Sequence, residues 1–165
     1  MWRIYENCMQ RIVDLVNDTG VYEGVSGTPL SFAPQISKRT GNRIYLKRED
    51  KLVIHTFKLR GAYQKISNLS AEQASKGVVA SSAGNHAQGV AFASSLEKNP
   101  CTIVMPKNAS PAKVAATRGY GAKVILEGVN YDESSSKAKE IAKETMIAMY
   151  EEIHAKLVME TFLYS

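Results

Sequence analysis

Cysteine is scarce: Cys8 and Cys101 are the only two in 165 residues. They stand far apart without the short spacing that zinc sites use, so free buried thiols in a reducing compartment are expected. Histidine adds only His55, His86 and His154, scattered along the chain, and no metal site is expected from this set. Long apolar runs are missing too, which leaves no segment able to cross a bilayer as a helix. Where a secretory leader would place a basic stretch before an apolar one, Trp2-Arg3-Ile4-Tyr5-Glu6-Asn7 mixes the two. A cytoplasmic protein with no membrane partner is expected. The net charge is +5, yet the 21 lysines and arginines are interrupted throughout by 16 acids and form no basic block with interleaved aromatics. That excludes nucleic acid as the expected partner and leaves a surface suited to small anions. No internal repeat or low-complexity segment occurs.

What is present is a globular composition, 44% apolar and 22% charged, in a chain long enough for one compact domain. Residues 4–17 place Cys8 or Met9, Ile12, Val13 and Val16 at helical spacing before the stop Asn17-Asp18-Thr19-Gly20, which predicts a helix. Gly27-Thr28-Pro29-Leu30 is a turn whose proline forces Thr28 extended, leading into a loop near an active-site mouth. A helical stretch through Ile36 and Arg39 ends at Gly41-Asn42, and Ile44–Lys47 reads as a strand. The pattern then alternates: helix 58–68, strand 77–80, helix 85–97, strand 102–105, helix 111–118, strand 122–126, helix 131–144. Ser110-Pro111 supplies a hydroxyl cap and a first-turn proline. Such alternation predicts an α/β fold, a parallel twisted sheet with helices on both faces. In the tail, Met146, Met149, Tyr150, Ile153 and Leu157 fall at helical spacing and predict a final amphipathic helix.

Two stretches carry chemistry. The first is His55-Thr56-Phe57-Lys58-Leu59-Arg60-Gly61-Ala62, where Lys58 opens a helix whose apolar positions are Leu59, Ala62, Tyr63, Ile66 and Leu69. The positive end of the helix dipole opposes an ammonium there and favours the amine that attacks an aldehyde. Taken alone, this octapeptide suits an ordinary lysine between core-packing neighbours better than a reactive one. The second stretch, Ser81-Ser82-Ala83-Gly84-Asn85-His86-Ala87-Gln88-Gly89, links a strand to a small-residue helix and offers backbone N–H groups at a helix start, a place for a carboxylate or phosphate. Together they point to an amino-acid carboxylate beside a Schiff-base lysine.

These two segments resemble the signatures of the threonine dehydratases, pyridoxal-phosphate (PLP) enzymes of the tryptophan-synthase-β fold type. Thr28-Pro29-Leu30, Leu46-Lys47-Arg48-Glu49-Asp50, Ile103-Val104-Met105-Pro106 and Lys113-Val114 are supporting matches, over about residues 20–144. The resemblance implies the small domain of PLP fold type II plus part of the large domain, in one truncated unit: residues 51–144 as the α/β core, with 1–50 and 145–165 as partial large-domain or divergent segments. It implies PLP as cofactor, held covalently by Lys58, with Phe57 against its ring and Asn85 on its phenolic oxygen. Ser81, Ser82, Ala83 and Gly84 would cradle the carboxylate of an amino-acid substrate. The reaction implied is L-threonine to 2-oxobutanoate and ammonia, in isoleucine biosynthesis, with a homo-oligomer expected. His86 is expected to fix the loop, His55 to tune the approach to Lys58, and His154 to lie on the surface. The chain departs from the family in having no run of glycines for the cofactor phosphate, since Gly119, Gly121 and Gly128 are too scattered to aim N–H groups at one anion. Poor turnover by this chain alone is therefore expected. Two other readings stand beside this one: a non-catalytic truncated paralogue acting as an interaction module, and a serine racemase or serine dehydratase.

Overall fold

The computed structural model describes residues 20–145, the backbone of residues 148–150, and the helical positions Gln10 and Asp14. The helix predicted over 4–17 otherwise lies outside the described residues; Gln10 Nε2 donates to Asp14 Oδ1 at 2.8 Å, four positions on.

A short helix α1 (Val21–Gly24) leads to a two-stranded ribbon, β1 (Leu30–Phe32) and β2 (Tyr45–Lys47), with helix α2 (Pro34–Thr40) between them. The ribbon is antiparallel, with Leu30 opposite Lys47 and Phe32 opposite Tyr45. Helix α2 begins on Pro34 and ends at Gly41, whose φ of 68° is the left-handed turn that glycine permits. A 3-10 turn, Glu49–Lys51, then brings the chain to α3 (Lys58–Ser67).

From there strands and helices alternate as predicted. The order is α4 (Ala71–Lys76), β3 (Val78–Ser81), α5 (Asn85–Leu96), β4 (Cys101–Met105), α6 (Pro111–Gly119), β5 (Lys123–Leu126), α7 (Tyr131–Thr145) and β6 (Ala148–Tyr150). The four strands β3–β6 form one parallel sheet in the spatial order β5-β4-β3-β6. Alternation along the strands splits the core between its faces. Val78 and Ala80 of β3 with Ile103 and Met105 of β4 pack with α3 and α5, whereas Val79 and Val104 meet Ala138, Ile141 and Ala142 of α7. Helices therefore cover both faces.

Local chemistry explains the joints. Helix α4 was not evident from apolar periodicity, but Ser70 and Gln73 make a reciprocal capping box, Ser70 Oγ accepting from the Gln73 amide and Gln73 Oε1 from the Ser70 amide. Gly77, at φ 92°, lets β3 pass Pro100 so closely that a Cβ there would fall 2.4 Å from the Pro100 carbonyl oxygen.

Two expectations are corrected. Ser110 does precede α6 and Pro111 does open it, but the Ser110 hydroxyl makes no capping hydrogen bond. The amphipathic helix predicted from Met146 is interrupted: residues 148–150 form strand β6, parallel to β3 with Val78 opposite Ala148. The exposed edge of a buried apolar strand offers backbone pairing that outweighs helical spacing. The rest of that predicted helix, with His154, lies outside the described residues.

Candidate active site

Lys58 is the first residue of α3, as the sequence led us to expect. Phe57 is the N-cap and is 38% exposed. No side-chain cap closes this helix start; the Lys58 amide lies 3.5 Å from Thr56 Oγ1. Leu59, Ala62, Tyr63 and Ile66 are buried, so the apolar stripe fixes the helix against the core and leaves Lys58 half-buried at its mouth.

The Ser81–Asn85 segment sits at the carboxyl end of β3, where parallel sheets present ligand sites. Ser81 and Ser82 are buried, Ala83 and Gly84 half-buried, and Asn85, first residue of α5, is exposed. Ser82 Oγ accepts a hydrogen bond from the Gly84 amide at 3.2 Å. Ser81 Oγ is buried and has no hydrogen-bond partner among the described residues. The N-cap of α5 is Gly84, which makes no side-chain capping bond, so the positive end of the helix dipole at this start suits an anion.

The two stretches are brought together by Gly89. A Cβ at that position would stand 3.3 Å from the Lys58 carbonyl oxygen and 3.6 Å from Ala62 Cβ, so α3 crosses α5 in backbone contact at Lys58. Gly89 lies four residues beyond Asn85, about 6 Å along the helix axis. Lys58 is thereby placed one turn from the open N-terminus of α5. The sequence held Gly89 as part of a motif but assigned it no role; its signal was a glycine inside a helix, where only close approach rewards its low propensity.

A second element missed in sequence is an ion pair on the other side of α3. Arg60 Nε donates to Glu49 Oε2 at 2.8 Å, and a second guanidinium nitrogen to Glu49 Oε1 at 3.1 Å and to the Ser26 carbonyl at 3.2 Å. Thr28 Oγ1 donates to Glu49 Oε1, and the Tyr22 ring centroid is 5.4 Å from the guanidinium carbon. Burial pushes the Glu49 carboxyl up, but the hydrogen bonds from Arg60 and Thr28 and the charges of Arg60 and Lys47 outweigh it, leaving it below its ordinary range. The Thr28-Pro29-Leu30 and Leu46–Asp50 segments thus act as the frame for the lysine helix.

The remaining candidates fall as follows. His86, second in α5, is buried at 1% exposure. His55 is exposed, at φ 55°, with Nδ1 2.8 Å from the Asp50 carbonyl oxygen. Cys101 is a buried free thiol whose pKa burial pushes up to about 11, while a hydrogen bond with Ser94 pulls the other way; Cys8 lies outside the described residues.

Comparison with known proteins follows the same geometry. The family model described as "Pyridoxal-phosphate dependent enzyme" matches residues 21–162. The chain belongs to the pyridoxal-phosphate dependent enzyme family. A biosynthetic L-threonine dehydratase of Pasteurella multocida is 50% identical over 123 residues, 74% of this chain and 24% of that protein. The processed form of threonine deaminase isoform 2 from Solanum lycopersicum superposes with a TM-score of 0.81 at 40% identity, covering 88% of this chain and 40% of that one. Maize serine racemase gives 0.79 at 32% identity, over 84% and 43%. The chain thus spans about a quarter of the length of the biosynthetic threonine dehydratases it matches. Its α/β architecture is that of PLP fold type II, and PLP is the cofactor this membership carries. The family match includes β6, the strand that interrupts the predicted tail helix.

The described residues fit part of that cofactor's needs. A lysine at an uncapped helix start, one turn from a second uncapped helix start, and a buried hydroxyl without a partner suit an aldehyde and a carboxylate side by side. For a phosphate the fit is poor, because Gly119 ends α6, Gly121 lies before β5 and Gly128 after it, and no two of these provide adjoining N–H groups.

Proposed function

We propose that the chain carries the lysine-bearing half of a threonine dehydratase site, converting L-threonine to 2-oxobutanoate and ammonia with PLP, as part of amino-acid biosynthesis. The observation that supports the proposal is the contact of the Lys58 backbone carbonyl with Gly89, one turn into α5. In this reading Lys58 would hold the cofactor aldehyde until the substrate amine displaces it, and its freed Nζ would then exchange a proton at the substrate Cα. Phe57 flanks the ring, and Asn85 donates a hydrogen bond to the ring oxygen without adding charge. Ser81 and Ser82, with the backbone of Ala83 and Gly84, orient the substrate carboxylate. When bound, PLP supplies the electron sink that lets the Cα proton leave and the β-hydroxyl be lost.

A cytoplasmic setting and a homo-oligomer belong to the same proposal. The second is supported by the apolar side chains that the ribbon leaves exposed: Leu30, Phe32, Tyr45 and Leu46. No helix among the described residues is long and apolar enough to cross a membrane. The likeness to maize serine racemase keeps serine as the competing substrate.

The test is 2-oxobutanoate formation from threonine, alongside pyruvate formation from serine, with saturating PLP and with Lys58→Ala as control. Expected is slow threonine turnover that depends on Lys58, well below the ordinary enzyme rate of about 10 per second. Preference for serine would overturn the substrate. Absence of any Lys58-dependent product would favour the interaction-module reading instead.

A further inference from the structure

Lys58 and Arg60 lie two positions apart, about 200° around the helix. The start of α3 is therefore held from two sides: Gly89 of α5 packs against the Lys58 carbonyl, and Glu49 grips Arg60. The grip is of the kind that fixes orientation as well as distance, since Nε and one terminal guanidinium nitrogen each meet a different carboxylate oxygen, at 2.8 and 3.1 Å. It is shielded, with 19% of the Arg60 side chain and 17% of the Glu49 side chain exposed, whereas the other ion pairs among the described residues each have at least one partner about half exposed or more. It is also braced: Glu49 accepts from Thr28, Arg60 reaches the Ser26 carbonyl, and the Thr28 carbonyl accepts from Lys47. Neither core cluster includes a residue between Val25 and Leu52. The polar network is thus the principal tie between the ribbon segment and α3.

We infer that Arg60 and Glu49 are positioning residues for Lys58, fixing the rotation and setting of the first turn of α3 so that Nζ meets a carbonyl at one place beside the start of α5. The inference rests on the reading of Lys58 as the cofactor anchor. Its chemical logic is that a covalent anchor must be held to within a fraction of an ångström, and a displacement of about 1 Å can cost a hundredfold in rate. A salt bridge serving only stability would act on folding and leave the selectivity of the lysine unchanged.

The experiment uses the full chain. Wild type, Arg60→Lys, Glu49→Gln and Arg60→Ala are incubated with PLP, reduced with borohydride, and mapped for pyridoxyl label on Lys58 against the remaining lysines. Thermal unfolding is recorded in parallel. In wild type, label concentrates on Lys58. In Arg60→Lys, which keeps the charge but loses the fork, and in Glu49→Gln, which keeps the shape, the Lys58 preference is expected to fall at least tenfold in protein that still unfolds cooperatively. Wild-type preference in both conservative variants would overturn the inference while leaving Lys58 as the anchor, whatever their unfolding temperatures. Absence of any preference in wild type would overturn the anchor reading first and the inference with it. Should Arg60→Ala fail to fold, the conservative pair decides the matter.

Discussion

Asn85 is the exposed opening residue of α5, one helical turn from the Lys58 contact at Gly89. Its amide needs no role in the core, and no capping bond from it closes the helix. If it donates to the cofactor ring oxygen, Asn85→Ala should shift the absorbance of bound PLP and weaken its retention by about 1.5–3 kcal/mol, the range of a charge-assisted hydrogen bond. An unchanged spectrum with unchanged retention would leave Asn85 as a helix-start residue only. Thermal stability should change little, because an exposed side chain without core contacts is being removed.

Gly89 sets the α3–α5 crossing, and its substitution tests the element scale. Replacing a helix-interior glycine with alanine ordinarily stabilises by about 1 kcal/mol. Here the added Cβ would press on the Lys58 carbonyl oxygen at 3.3 Å and on Ala62 Cβ at 3.6 Å, neither of which is the end of a flexible side chain. Gly89→Ala is therefore expected to lose that gain, and Gly89→Val to destabilise by about 1–3 kcal/mol as the helices separate. Urea unfolding of both variants measures this, and a Gly89→Ala more stable than wild type by the full propensity gain would show that the crossing is loose. The same scale shows what sequence could reveal. Strands β3, β4 and β5 and helices α3, α5, α6 and α7 were legible within a residue or so, because short apolar runs alternate with helical spacing and glycine or proline marks several of the joints. Strands β1 and β6, three residues each, are too short for a period to register, although β2 of the same length was read from the apolar and aromatic Ile44–Lys47. For β6 the helical spacing from Met146 onward pointed elsewhere, and its partner β3 lies far upstream. Lys58 and the Ser81–Asn85 loop could be read from local motifs, but the pairing of Glu49 with Arg60 is a product of tertiary geometry.

For the whole molecule, the parallel sheet and its two helical layers put the Ser81–Asn85 loop at the carboxyl end of β3, with the Lys58 carbonyl against Gly89 one turn into α5 and a frame of polar contacts around Arg60. In the proposed reading Lys58 is the aldehyde anchor and Asn85 the ring partner, while Gly119, Gly121 and Gly128, among the described residues, are too scattered to cradle a phosphate. Binding is thus expected to be weak but specific, and to go through Lys58. The most direct measurement is a PLP titration of the purified chain followed by absorbance, run side by side with Lys58→Ala. Wild type should develop a saturable long-wavelength band that Lys58→Ala lacks, with saturation at higher PLP than a complete cofactor site would need. The same band growing with the same concentration dependence in both proteins would contradict the assignment of Lys58 as the cofactor anchor.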